Sequence, residues 1–199
     1  CRPEPKAGFI ANMRALLGEE AGAFFRALEG APSLALRPRR GMEAAEPFIE
    51  GAVPWAEGGF SLRPGARPGA SVAHWAGAFY LQEASAMLPA AALKARPGER
   101  VLDLCAAPGG KSSQIALSMG GEGVLVANEV DAARARVLAA NLERLGVTNA
   151  VVLNETPVRL AARWPEYFDA VLVGAPCSGA GMFRRGPQSR EAGTGAAPR

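Results

Sequence analysis

The stretch Val101-Leu-Asp-Leu-Cys-Ala-Ala-Pro-Gly-Gly-Lys-Ser-Ser113 decides the fold. Residues 101–104 are short and mostly apolar, as a strand covered on both faces is. Pro108, Gly109 and Gly110 then force a tight turn, and residues 112–119 read as a helix. A strand, a glycine turn and a helix start leave backbone N–H groups facing a crevice with little side-chain bulk, which is the local chemistry of a cofactor loop.

Three ligand classes use such a loop. A dinucleotide loop carries G-x-G-x-x-G, which is absent here. A phosphate-cradling P-loop carries G-x-x-x-x-G-K-[ST]; Gly110-Lys111-Ser112 supplies its second half, but Cys105 stands where the first glycine belongs. That reading also asks for an acid ending a later strand to hold Mg²⁺, and the best run, 170–173, ends in Gly174. A nucleoside loop asks for an acid about 20 residues beyond the glycines, to hydrogen-bond a ribose. Glu129 stands there, directly after the apolar run 123–128.

Outward from the loop, Ala84, Met87, Leu88 and Ala91 form a helical stripe that leads through Arg96-Pro97-Gly98 into the first strand. Three further apolar runs follow at 123–128, 150–154 and 170–173. A helix between them starts on Asp131 as N-cap, turns Val137, Leu138, Leu142 and Leu145 inward and stops at Gly146. Another is capped by Thr156, with Pro157 at its first position. This alternation predicts an α/β, Rossmann-like sheet of about four parallel strands with right-handed crossovers. Ligands bind beyond the carboxyl ends of such strands, where Cys105, Glu129, residues 154–156 and residues 174–179 fall.

Ahead of the core, Phe9, Met13, Leu16, Leu17, Phe24, Phe25 and Leu28 share a helical face interrupted at 18–22, which predicts two short helices. A strand is expected at 34–36, a helix at 42–50, and an extended Gly- and Pro-rich connector at 51–71. The expected organisation is a small α/β appendage with its connector over 1–71, a cofactor-binding core over 72–183 and a disordered tail over 184–199.

Composition frames these elements. With 199 residues, 49% apolar and 21% charged, the chain has room for one core and an appendage. No apolar run approaches the ~20 residues of a membrane helix, and the opening Cys-Arg-Pro-Glu-Pro-Lys holds no signal core, so a cytoplasmic protein without a membrane partner is expected. Cysteines 1, 105 and 177, with no Cys-x-x-Cys, argue against a disulfide framework and a zinc site, and no metal is expected. The net charge of +3 is compatible with a polyanionic partner, with Arg37, Arg39 and Arg40, or Arg184 and Arg185, as candidate phosphate contacts.

Four ordered motifs carry a resemblance. Gly77-Ala-Phe-Tyr-Leu-Gln-Glu-Ala-Ser-Ala-Met87, Asp103 to Lys111, Asn128-Glu129 and Ala175-Pro-Cys-Ser-Gly-Ala-Gly-Met-Phe-Arg184 resemble the Sun-domain RNA (cytosine-5) methyltransferases, nearest to the bacterial ribosomal RNA small-subunit methyltransferase F group. The resemblance covers about residues 8–185. It implies S-adenosylmethionine as methyl donor, RNA as substrate, ribosomal rather than transfer RNA, and a monomer. By that resemblance Cys105, Ala106, Ala107, Pro108, Gly109, Gly110 and Lys111 line the cofactor and Glu129 holds its ribose hydroxyls; Thr156 and Gly174 complete the cofactor side. The leading region is then an RNA-binding appendage.

The implied chemistry explains the demand for cysteine. Carbon 5 of cytosine is a poor nucleophile, so a thiolate adds to carbon 6, carbon 5 takes the methyl group, and proton loss with elimination frees the product. The base must be unstacked to reach the pocket. In this family a cysteine in a Thr-Cys pair is the nucleophile, while the one in Pro-Cys-Ser assists release; Cys177 matches the helper, and the sequence contains no Thr-Cys. Gly174 stands where the family has Asp, and Thr156 where it often has an acid. Residues 184–199 contain no Val, Ile, Leu or aromatic residue, so no strand is expected after Gly174 and the chain reads as C-terminally truncated. A cofactor- or RNA-binding piece without turnover is the alternative, and a P-loop-like nucleotide binder a lesser one.

Overall fold

A computed structural model of the chain describes residues 7–30 and 33–175. They fall into two units, the helices before residue 33 and the body from Ser33 to Ala175. The first unit contains α1 (Ala7–Leu17), a 3₁₀ turn (Gly18–Glu20) and α2 (Ala21–Glu29). The break falls where Gly18 takes a positive φ, and Phe9 meets Phe24 with ring centroids 6.3 Å apart. Leu16, expected on the apolar face, is exposed.

The body opens with an antiparallel sheet in the order β2-β3-β1-β4, from β1 (Leu34–Pro38), β2 (Ile49–Ala52), β3 (Phe60–Leu62) and β4 (Phe79–Glu83). Alternation along β1 sends Leu36 into a core with Ala45 and Phe79, and Ala35 to the opposite face, where it meets Val53, Ala84 and Met87. Two expectations fail here. Residues 42–50 are not a helix: Pro47 lacks an N–H, only a 3₁₀ turn forms (Glu46–Phe48), and the chain continues into β2. The stripe at 84–91 is not one helix either, but a 3₁₀ turn (Ala84–Met87) passing into α4 (Leu88–Leu93), with Pro89 in its first turn. Within 51–71 the chain forms the end of β2, β3 and a 3₁₀ turn (Pro68–Ala70), followed by the single turn α3 (Val72–Trp75). By chain position β4 lies past residue 72, yet it pairs with β1 over five residues.

The second sheet is the parallel one. It comprises β5 (Arg100–Asp103), β6 (Val124–Asn128), β7 (Ala150–Leu153) and β8 (Ala170–Leu172), in the order β7-β6-β5-β8. The crossovers contain α5 (Gly110–Ser118), α6 (Ala132–Arg144) and α7 (Pro157–Arg163). Val101 and Leu125 face α4 and α5, packing with Ala90, Ile115 and Met119. Leu102 and Val126 face the other way, onto Leu160, Trp164 and Phe168. This is the Rossmann-like α/β arrangement expected from the strand and helix pattern, with the order reversing between β5 and β8. Among the described residues β8 is an edge strand, with Val171 exposed on it and Val173 exposed just after it.

Both expected caps form. Asp131 accepts from Arg134 N–H at 2.8 Å, and Thr156 Oγ1 from Arg159 N–H at 3.4 Å. Leu138, Leu142 and Leu145 are buried, but Val137, one position off that stripe, is exposed.

Gly77 joins the two halves of the body. Its φ is +74°, and a Cβ there would overlap the carbonyl oxygen of Arg144 at the end of α6. Arg144 in turn donates to His74 O at 2.7 Å. Gly77→Ala therefore combines a left-handed alanine with a backbone overlap and should cost about 2–4 kcal/mol in urea unfolding; a loss below 0.5 kcal/mol, about the noise of such a measurement, would contradict this contact.

Candidate cofactor crevice

The crevice is built at the carboxyl ends of β5, β6 and β8. Leu104 N–H donates to Leu172 O at 2.9 Å and Ala106 N–H to Asn128 O at 2.8 Å, so the loop after β5 is stitched to both neighbouring strand ends. Its carbonyls are held by side chains from distant elements. Arg134 donates to Ala107 O at 3.1 Å, Asn141 to Pro108 O at 2.9 Å, and Arg37 to Gly110 O at 2.9 Å. With those oxygens occupied, the loop keeps one shape.

Glycine is required at both turn positions. Gly109 has φ +109°, and a Cβ added there would lie 3.2 Å from Leu138 Cδ1; one added to Gly110 would lie 2.5 Å from Gln82 Oε1 and 2.9 Å from Tyr80. Lys111 follows at the start of α5, and Ser112 beside it is buried.

Three groups with ionisable hydrogens converge next to this loop. Asp103 is fully buried; its Oδ2 accepts from Ser112 Oγ at 2.7 Å, while Oδ1 has no partner. Burial holds its carboxyl above the usual range, with the Ser112 hydroxyl, Lys111 and the nearby Cys105 N–H pulling the other way and Glu129 adding to the rise. The Cys105 thiol is also pushed up, by burial and then by Glu129 and Asp103. Cys105 is therefore a protonated wall of the crevice rather than a nucleophile.

Glu129 is 2% exposed. Its Oε1 accepts from Asp131 N–H at 3.1 Å, and its Oε2 lies 3.2 Å from Arg134 Nη1, an ion pair not aligned as a hydrogen bond. Arg134 is more than half exposed and covers the carboxylate from the solvent side.

Two asparagines fix this strand end. Asn128 Nδ2 donates to Leu104 O at 3.2 Å and Glu155 O at 3.0 Å, while its Oδ1 accepts from Glu155 N–H at 3.0 Å. Asn154 Nδ2 donates to Glu129 O at 2.7 Å and Val130 O at 2.9 Å. Thr156 lies just beyond, engaged as the α7 cap.

Gly174 sits across the crevice, where an added Cβ would lie 3.7 Å from Lys111 Nζ and 3.8 Å from Cys105 O. Space and charge there suit an acidic side chain. Cys177, with the rest of 176–183, lies outside the described residues, as do Arg184, Arg185 and the tail 184–199.

The structure thus brings the loop from Cys105 to Lys111 together with Glu129 and Gly174 at the carboxyl ends of β5, β6 and β8. It also adds residues to which the sequence pattern assigned no role: Asp103, Asn128, Arg134 and Asn141. The available signal for Asp103 was an acid closing an otherwise apolar strand. Arg37 departs from expectation. It is 3% exposed and bonds Gly110 O and Ser113 Oγ, so it is a buried clamp rather than a surface phosphate contact.

Asp103 sets a pH dependence. Its raised folded value means that the folded state binds its proton more tightly than the unfolded chain, so its contribution to stability falls as pH rises from about 3.8, the ordinary value, through the raised one. Asp103→Asn should gain stability relative to the parent chain as pH rises from acid to neutral, since the variant has no carboxyl to deprotonate. Urea unfolding across that range checks this, and a variant that gains nothing on the parent chain as pH rises would contradict it.

Residues 90–195 match the family model described as 16S rRNA methyltransferase RsmB/F, and residues 5–84 that of the N-terminal domain of 16S rRNA methyltransferase RsmF. The ribosomal RNA small subunit methyltransferase F of Pectobacterium atrosepticum is 46% identical over 142 residues, covering 68% of this chain and 29% of that protein. Its namesake in Escherichia coli O157:H7 is 45% identical over 143 residues, 69% of this chain and 30% of that one. The chain therefore spans under a third of the length of these relatives. A methyltransferase homolog protein from Pyrococcus horikoshii, 29% identical, superposes with a TM-score of 0.70 over 89% of this chain and 66% of that one. NSun6 from the same organism, 17% identical, shares the fold, with a TM-score of 0.73 over 87% and 71% of the two chains. With a parallel sheet whose order reverses between β5 and β8 and a family match across more than half its length, the chain belongs to the RsmB/F family of 16S rRNA methyltransferases.

Proposed function

We propose that residues 72–183 are the S-adenosylmethionine-binding part of an RNA (cytosine-5) methyltransferase acting on ribosomal RNA, and that residues 1–71 are its RNA-binding appendage, with β4 completing the appendage's sheet. The protein acts as a monomer in the cytoplasm. The observation that carries the cofactor reading is the unpartnered Oδ1 of the buried Asp103 beside a glycine loop. A buried carboxylate in no ion pair among the described residues, with Lys111 acting on it only from a distance, suits a ligand that brings a cation, and the methionine end of S-adenosylmethionine carries an ammonium group. Glu129, about 20 residues beyond the glycines, is placed to accept from ribose hydroxyls once Arg134 shares its carboxylate.

When bound, the cofactor supplies an electrophilic methyl group. The chain's own residues orient it: Gly109 and Gly110 keep side chains out of the loop, Arg134 and Asn141 hold the loop's carbonyls, and Asn128 fixes Glu129 relative to β5. Lys111, facing Gly174, supports the opposite wall. Cys177 is the cysteine that assists product release, and methyl transfer needs the Thr-Cys nucleophile that these 199 residues do not contain. A triphosphate is disfavoured because Asp103 and Glu129 place two carboxylates beside the loop that would cradle it.

Isothermal calorimetry on the chain should show one S-adenosylmethionine site, with affinity reduced about tenfold or more in Glu129→Gln and in Asp103→Ala, each of which loses a charge-assisted contact. Affinity should fall as Asp103 is protonated, beginning above the usual carboxylate range. Heat with Mg-ATP, abolished by Lys111→Ala, and none with S-adenosylmethionine would overturn the proposal in favour of a P-loop-like binder.

A further inference from the structure

A cavity of about 300 Å³ lies on the flank of α5, away from the carboxyl ends of the strands. Its walls are the end of β1 with the chain just after it, the end of α5 with Gly120 and Gly121, and the turn from α6 into β7. Among the described residues its charged lining is arginine alone: Arg37, Arg39 and Arg40. Arg37 is committed behind the wall, to Gly110 O and Ser113 Oγ. The head group of Arg39 is fixed at the cavity itself: its Nη1 donates to Leu145 O at 3.3 Å and would lie 2.6 Å from a Cβ added to Gly146, both wall residues. Its Nε and Nη2 have no partner among the described residues, and neither nitrogen is sealed from solvent. Arg40 is exposed, with no ion pair or side-chain hydrogen bond among those residues.

Helix ends are the competing account of these cations. α5 and α6 both end at this cavity, and each end carries about half a negative charge, which an arginine complements. Two half-charges offset about one of the two free arginines, so the cavity keeps a positive excess. The rest of the lining narrows the ligand. No aromatic ring lines the cavity among the described residues, so nothing there stacks a base. Gly120 and Gly121 leave the wall bare: a Cβ at either would meet nothing within 4 Å. Arginine donors beside a bare, ring-free hollow suit the oxygens of a phosphate group. Cations also continue beyond it, since Arg39 and Leu117 line the adjoining cleft together with Lys94. Such a series suits a polyanion better than a single ion.

We infer that this cavity takes a backbone phosphate of an RNA strand, held by Nε and Nη2 of Arg39 and by Arg40, with no contact to the bases. The site positions the strand on the flank of α5 and reads no sequence. It rests on the reading of RNA as the partner, and cofactor binding is measured on the same samples so that the two can fail separately.

The test is fluorescence anisotropy of the full chain with labelled single-stranded RNA 12-mers of two unrelated sequences, beside S-adenosylmethionine calorimetry and thermal melting. Arg39→Gln, which keeps a donor for Leu145 O, and Arg40→Gln should each weaken binding of both RNAs about threefold to tenfold. Each should also lower the dependence of log affinity on log salt by about 0.7, the value for one phosphate of a single strand. Thr148→Asp, which adds an acid to the exposed lining and removes no cation, should weaken both about tenfold or more. Cofactor affinity should be unchanged in all three. Inorganic phosphate should compete about a hundredfold more weakly than the strand, having one phosphate where it has many. Parent-like RNA affinity and salt dependence in folded Arg40→Gln and Thr148→Asp would overturn the proposal and leave the arginines to the helix ends. Effects on one RNA sequence and not the other would overturn it in favour of a base contact. Equal competition by inorganic phosphate would overturn it in favour of a free anion. A parent chain that binds cofactor but no RNA would overturn the RNA site while sparing the cofactor reading.

Discussion

The burial of the Arg37 guanidinium is the constraint on which the body of this protein depends. β1 carries it from the antiparallel sheet to the first turn of α5, where Gly110 O and Ser113 Oγ accept its hydrogens. No carboxylate pairs with it among the described residues, and desolvation pulls its pKa down to about 10, with the nearby Tyr80 opposing. A charge kept out of water on neutral acceptors alone tolerates little displacement. The cofactor loop is thereby tied to the antiparallel sheet, whose Tyr80 and Gln82 also pack against Gly110.

Around the loop the electrostatics are set by acids rather than bases. Asp103, Glu129 and the Cys105 thiol crowd one end of β5 and β6, where the two carboxylates raise the cost of a further negative charge. The loop resembles half of a P-loop by spacing, but its surroundings favour a ligand with a positive centre. Asn128 shows how the sheet holds this arrangement: one amide ties the ends of β5 and β7 to β6 through three hydrogen bonds, leaving Glu129 little freedom.

Much of the parallel sheet was legible in the sequence because its signals are local. The apolar runs, the caps at Asp131 and Thr156 and the glycine turn each depend on neighbours within a few residues, and each lies where the pattern put it. The leading region was harder to read for the opposite reason. β4 is a strand because β1 lies beside it, and residues 42–50 lose their helix to Pro47 and to the demand of β3 for a partner. The clamp of Arg37 spans 73 residues to Gly110, and those of Arg134 and Asn141 span 27 and 33 to Ala107 and Pro108. No spacing rule announces such contacts. In Asp103 the residue was visible, but its unpartnered oxygen is a property of the packed fold.

The measurement that tests the central claim most directly is an amide ¹⁵N–¹H correlation spectrum of the chain titrated with S-adenosylmethionine. A site built as described should show saturable shifts concentrated at 103–111, at 128–131 and at Gly174, with residues around Trp55 and Lys94 unmoved. Shifts centred on Trp55 and Lys94, or spread evenly with no saturation, would contradict it.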